Sequence, residues 1–112
     1  MILPGKGHLL RIFIGESDKY EGVPLYEWIV RKARENCLAG STVIRGIEGY
    51  GAHSRIHSTK ILRLSEDLPV VIEIVDKLEK IKNFVPIIND AIKEGLVTLE
   101  EIEICFYRSE KK

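Results

Sequence analysis

Period-two alternation at both ends of the chain is the strongest constraint on what it can fold into. Residues 8–15, HLLRIFIG, set Leu10, Ile12 and Ile14 against Leu9, Arg11 and Phe13, a spacing that sends the two sets to opposite faces of a strand. Residues 98–107, TLEEIEICFY, repeat the device, with Ile102, Ile104 and Phe106 on one face and Glu101, Glu103, Cys105 and Tyr107 on the other. A chain of 112 residues is long enough for one hydrophobic core and too short for two. Both strands are therefore assigned to a single domain spanning residues 1–112, with its core at 8–107 and a frayed tail at 108–112.

Between these strands the pattern changes period. After the polar link ESDKYEGV, Pro24 stands where a first helical residue is favoured, and Leu25, Ile29, Ala33 and Cys37 recur on one helical face, with Gly40 as the stop. STVIRGIEGY, residues 41–50, is a second strand rich in β-branched residues, with Gly46 as a bulge. LPVVIEIVD, residues 68–76, is a third and almost wholly apolar strand. Asp76 and Glu79 form a capping-box pattern ahead of a helix carrying Leu78, Ile81, Phe84, Val85, Ile88 and Ile92 at helical spacing; Pro86 predicts a kink or break, and Gly95 closes the helix. The order β, α, β, β, α, β defines an α+β fold of ferredoxin-like plan, a four-stranded antiparallel sheet with two helices on one face.

One sheet face is then left without a cover. With Leu10, Ile12, Ile14, Val70, Ile72, Ile74, Ile102, Ile104 and Phe106 turned to the helices, the opposite face carries Leu9, Arg11, Phe13, Val71, Glu73, Val75, Glu103, Cys105 and Tyr107. That is more apolar surface than a monomer exposes, so a homo-oligomer is expected to bury it through Arg11, Phe13, Glu73, Glu103 and Tyr107, with charge pairing across strands or subunits.

Charge excludes several functions. Seventeen basic and seventeen acidic residues cancel, which argues against broad binding to nucleic acid or an anionic membrane. Glu73 and Glu103 beside Phe13 and Tyr107 also disfavour RNA stacking on the sheet. No apolar run approaches the roughly 20 residues of a membrane span, and no secretion signal opens the chain, so a cytoplasmic location is expected. The two cysteines, Cys37 and Cys105, lack partners at metal-binding spacing and are read as small buried or half-buried apolar residues.

Residues 45–68, RGIEGYGAHSRIHSTKILRLSEDL, are the chemically dense segment. Gly46, Gly49 and Gly51 bracket Tyr50 and could turn backbone amides toward a phosphate. They match neither a Walker loop nor a dinucleotide fingerprint, and spacing alone reads as bulge and turn. His53 and His57 stand four apart among Arg55, Lys60 and Arg63, with only Glu48 and Asp67 as nearby acids, so no metal is expected. Ser54 and Ser58 flank His57 without an orienting third group, so no catalytic residue is assigned. The expected role is a solvated loop over about residues 52–67 that contacts a partner or a phosphate. A small nucleotide-processing hydrolase using His53 or His57, and a purely structural oligomeric adaptor, are the competing readings.

Four stretches in order, LRIFIGESDKYEGVPLYEWIVRKARE, LAGSTVIRGIEGYGAHSRIH, LSEDLPVVIEIVD and EGLVTLEEIEI, resemble the prokaryotic family called domain of unknown function 190, described as PII-like, and more distantly the PII signal-transduction proteins. The resemblance implies a homotrimer with adenine nucleotides in clefts between subunits, a loop between the second and third strands that signals to a partner, and no enzymatic activity. Members often occur beside fluoride-exporter-type membrane proteins, which implies a membrane transport protein as partner. By position, the resemblance assigns Thr42 to the adenine, Gly49, Tyr50 and Gly51 to the cleft, and Glu73 and Val75 to the end of the third strand. The PII glycine-lysine phosphate loop is missing: Gly95 has no lysine after it. AMP or ADP is therefore expected over ATP, with Arg45, His53, Arg55 or Arg108 holding the phosphates. The modifiable loop tyrosine of some PII proteins is also absent.

Overall fold

The structure, a computed structural model, describes residues 4–51, 56–58 and 67–110. The elements run β1 (Gly5–Gly15), β2 (Lys19–Tyr20), β3 (Val23–Pro24), α1 (Leu25–Glu35), β4 (Ser41–Arg45), β5 (Glu48–Gly49), β6 (His57–Ser58), β7 (Pro69–Asp76), α2 (Leu78–Asn89) and β8 (Leu96–Ile104). The main sheet has the order β4-β7-β1-β8 and is antiparallel throughout. This is the ferredoxin-like arrangement that the element order predicts, with β7 and β1 central. Leu10, Ile12, Ile14, Val70, Ile72 and Ile74 pack against Leu25, Ile29, Ala33, Ile81, Phe84 and Ile88 in one buried cluster.

The link before α1 is more ordered than its polar sequence suggests. β2 and β3 form a short hairpin closed by Glu21 and Gly22, both at positive φ (51° and 81°), the backbone that a two-residue type I′ turn requires. The hairpin delivers Pro24 to the start of α1, where the fixed φ of proline suits a helix entry.

α1 ends earlier than expected. Cys37, not Gly40, takes the left-handed position (φ 60°), and the Leu38 N–H donates to Ala33 O (3.0 Å) while the Cys37 N–H donates to Arg34 O (3.0 Å). This is a Schellman-type stop with a cysteine where glycine is usual. Both cysteines are exposed, which corrects the expectation that they are buried or half-buried; Cys37 turns out of the apolar face as the helix unwinds.

The capping box is also replaced. Asp76, buried, accepts from the Lys77 N–H (2.7 Å) and from the Ala39 N–H (2.9 Å), and Lys77 is the N-cap residue of α2 with no side-chain cap bond. The carboxylate thus ties the α1–β4 connection to the start of α2. α2 continues through Pro86 as one helix.

The phase of β8 differs from the sequence reading. Leu10 pairs with Leu99 and Ile12 with Val97, whereas Leu9 pairs with Glu100 and Gly7 with Ile102. Paired residues share a face, so Val97, Leu99, Glu101 and Glu103 lie on the helix side, and Glu100, Ile102 and Ile104 join Leu9, Arg11 and Phe13 on the open side. β8 stops at Ile104, so Phe106 and Tyr107 are not strand residues and Phe106 is exposed.

Candidate functional site

Two structural features carry the chemistry: the open face of the sheet, and the place where the chain leaves and rejoins it around residues 46–69. The open face begins with the alternation of β1. Arg11 stands between two carboxylates, its Nε donating to Glu73 Oε2 (3.0 Å) and its Nη1 to Glu100 Oε1 (2.7 Å). The Glu73 bond is the leading cause of an Arg11 pKa raised above its already high value. Glu73 is therefore engaged inside its own chain, and Glu100, which the shifted β8 phase brings to this face, is the second partner that the sequence reading missed.

Around this charged trio the face is apolar. Leu9, Val71, Val75 and Ile102 are half-buried, and Phe13, Ile44 and Leu96 expose 36%, 46% and 56% of their surface. Thr42 pairs directly with Glu73, and Ile44 with Val71, so the expected adenine-side residues Thr42, Glu73 and Val75 lie together on this face. Of the expected oligomer contacts, Arg11, Phe13 and Glu73 share it. Glu103 is in the other phase of β8, opposite Lys6.

Tyr107 lies beyond the strand, where its hydroxyl donates to Ala39 O (2.6 Å). The tail after β8 is thereby carried to the connection that precedes β4. Arg108 stacks its guanidinium over the Phe106 ring at 4.2 Å.

At the other end of β4, Arg45 pairs with Val70, and the chain turns outward. The Gly46 N–H donates to Pro69 O (2.7 Å), and a Cβ on Gly46 or Gly49 would stand 2.9 or 3.1 Å from the Pro69 ring. The proline ring thus occupies the side-chain space at Gly46 and crowds it at Gly49. Arg45 pairs with Glu16. The returning segment is fixed to the same corner: the Ser17 N–H donates to Asp67 Oδ1 (2.9 Å) and the Glu16 N–H to Leu68 O (2.8 Å).

Gly49 pairs with His57 and Glu48 with Ser58, so β5 and β6 make a narrow stem above this base, and Tyr50 is 70% exposed beside it. His53, Arg55 and most of the expected loop lie outside the described residues. Glu16, Asp67 and Pro69 anchor the stem; Glu16 and Pro69 were not singled out in the sequence, and Asp67 was noted there only as an acid near the histidines.

The expected site residues therefore fall in three places. Thr42, Glu73 and Val75 are on the open face, Arg45 with Gly49, Tyr50 and Gly51 at the stem, and Arg108 in the tail linked through Tyr107 to Ala39. Among the described residues no group of three or more His, Cys, Asp or Glu is placed to hold a metal ion, and no helix is long and apolar enough to cross a membrane.

Comparison with known proteins matches the sequence to a family. The model of DUF190, the domain of unknown function 190 described as uncharacterized ACR, matches residues 7–104. A UPF0166 protein of Aquifex aeolicus (strain VF5) is 44% identical over 101 residues, covering 90% of this chain and 95% of that protein. A UPF0166 protein of Methanocaldococcus jannaschii is 36% identical over 100 residues, covering 88% and 92%. Among solved structures, CPII bound to ADP and bicarbonate, from Thiomonas intermedia K12, superposes with a TM-score of 0.68 at 16% identity over 94% of each chain. The same nitrogen regulatory PII-like protein bound to ADP, AMP and bicarbonate gives 0.66 at 16% identity, over 94% of this chain and 93% of that one. The fold is PII-like.

Proposed function

The chain belongs to the DUF190 family, and on that premise we propose that it is a PII-like regulator that binds an adenine nucleotide between subunits and reports its presence through the segment above the β5–β6 stem. The carrying observation is the anchored base of that segment: Gly46 and Gly49 on Pro69, Arg45 on Glu16 and Asp67 on Ser17, all at one corner of the sheet. A ligand can shift such a segment only by favouring one of its arrangements over another, and contacts this localised give a nucleotide a place to act. The ADP- and AMP-bound state of CPII supports the ligand class.

The apolar open face supports a homotrimer, since Phe13, Ile44 and Leu96 would otherwise remain in water. Because the chain lacks the PII glycine-lysine phosphate loop, AMP and ADP are preferred over ATP. Thr42 faces the base, Glu73 and Val75 border it, and Gly49, Tyr50 and Gly51 line the cleft. Arg45 and Arg108 are the phosphate cations among the described residues, with His53 and Arg55 beyond them. Signalling is directed at a partner in or at the membrane, from the cytoplasm, without catalysis.

The test is calorimetric titration with AMP, ADP, ATP and cyclic AMP, with product analysis after incubation. Saturable binding without turnover, weakened by Thr42→Ala, is the expected result. Turnover lost in His57→Ala would replace the regulator with a hydrolase, and the absence of any binding would leave an adaptor.

A further inference from the structure

A second concavity lies on the helix side of the sheet, away from the open face. It is a groove of about 270 Å³ between the C-terminal half of α1 and the start of β4, floored by Val30, Ala33, Leu38 and Ala39, with Ser41 and Arg34 as its polar members. Its size falls just under the range of drug-sized pockets, roughly 300–1,000 Å³, and suits a small molecule. Three bonds from separate elements fix its wall. Ala39 is held through its N–H by Asp76 and through its carbonyl by Tyr107, and Lys80 Nζ donates to Cys37 O.

Both polar members lack partners. The Ser41 hydroxyl oxygen is buried and makes no hydrogen bond, a state that costs free energy until something accepts from it or donates to it. Among the described residues Arg34 makes no ion pair, and the acids of α1 pair with other cations, Glu27 with Arg31 (3.4 Å) and Glu35 with Lys32 (3.2 Å). Among the described residues no acidic side chain lines the groove.

We infer that this groove binds a small aliphatic monocarboxylate, its alkyl chain on Val30, Ala33 and Leu38, its carboxylate on the Arg34 guanidinium and within reach of the Ser41 hydroxyl. A guanidinium without a partner favours a planar carboxylate, the apolar floor favours an alkyl tail, and the lack of an acid disfavours an amino acid, whose ammonium group would go unpaired. The groove borders the proposed nucleotide residues, since Ser41 precedes Thr42 and Ala39 is tied to Tyr107 next to Arg108, but it uses neither Thr42 nor Arg108.

The experiment titrates the isotope-labelled full chain with isovalerate, and in parallel with isoamyl alcohol, isoamylamine and leucine, following the Ala39 and Ser41 amides and the Arg34 Nε by NMR. Isovalerate is expected to move these signals saturably, with each comparison compound weaker by about tenfold or more, the usual size of a lost charge-assisted hydrogen bond. Arg34→Gln should lose a similar factor. Ser41→Ala should weaken isovalerate while raising the melting temperature of the free protein, because it removes an unsatisfied hydroxyl. Equal binding of the alcohol and the carboxylate, unchanged affinity in Arg34→Gln, or no shift of the groove signals at saturation would overturn the assignment. The last result is the one expected if a second copy of the chain covers the groove.

Discussion

Cys37 shows how a single residue can carry local strain. A non-glycine residue in the left-handed region costs about 1–2 kcal/mol, and Cys37 adopts φ 60° to end α1. Glycine there would remove that cost and give back about 0.5–1 kcal/mol in unfolded-chain entropy. Cys37→Gly should therefore stabilise the protein by about 0.5–1 kcal/mol, read as a higher urea midpoint with an unchanged slope. Asp18 provides the corresponding electrostatic case. Its carboxyl accepts from the Gly15 N–H (3.0 Å), yet burial first, and then the nearby Asp67 and Glu94, raise its pKa. A carboxyl whose folded pKa lies above its unfolded value binds the proton more tightly when folded. Its stabilising contribution is complete below the unfolded pKa, about 3.9, and is lost as pH rises through the folded one. Asp18→Asn, which keeps the acceptor and removes the charge, should melt higher than the parent at neutral pH, and the two melting curves should converge as the pH falls below that value.

At the scale of elements, α2 weighs a backbone defect against packing. An interior proline costs a helix about 3 kcal/mol. Ile81, Phe84 and Ile88 are each at most 1% exposed, and burying each contributes about 1.5–3 kcal/mol, so the packed face holds α2 continuous through Pro86. Pro86 itself is on the exposed side. Pro86→Ala should therefore stabilise the protein by about 2 kcal/mol, the helix gain less the entropy that proline removes from the unfolded chain, as a rise in thermal midpoint without loss of α-helical circular dichroism. The same weighing explains what the sequence made legible. β1, β7 and both helices were readable because each has one unambiguous apolar phase. β8 was not: Val97 and Leu99 mark one phase, Ile102 and Ile104 the other, and an edge strand with both faces partly exposed does not force a choice. Only its pairing with β1 settles which residues share the face of Arg11. In the candidate site, the strand positions of Thr42 and Glu73 were legible because both sit in well-patterned strands, while their role was given only by the family resemblance; the pairing of Arg45 with Glu16 depends on a tertiary approach that no local pattern encodes.

At the scale of the whole molecule, the open face and the proposed nucleotide cleft make linked demands. Phe13 lies on that face next to the Arg11 trio, is 36% exposed and contributes nothing to the buried cluster on the other side of the sheet. Phe13→Glu should consequently leave the subunit folded. If subunits associate through this face, the same change places a carboxylate without a cation where Arg11 is already shared by Glu73 and Glu100, and an unpaired charge in a closed interface costs several kcal/mol, repeated in every subunit. Sedimentation should then show the parent as a trimer and Phe13→Glu as a monomer with native circular dichroism. A cleft formed by two subunits cannot survive that separation, so Phe13→Glu should also lose ADP binding, although Phe13 is not among the residues assigned to the nucleotide. Thr42→Ala should have the reverse signature, with the assembly intact and ADP weakened by the loss of one hydrogen bond, about 0.5–1.5 kcal/mol. A monomeric Phe13→Glu that still bound ADP with parental affinity would place the nucleotide within a single subunit and separate assembly from sensing.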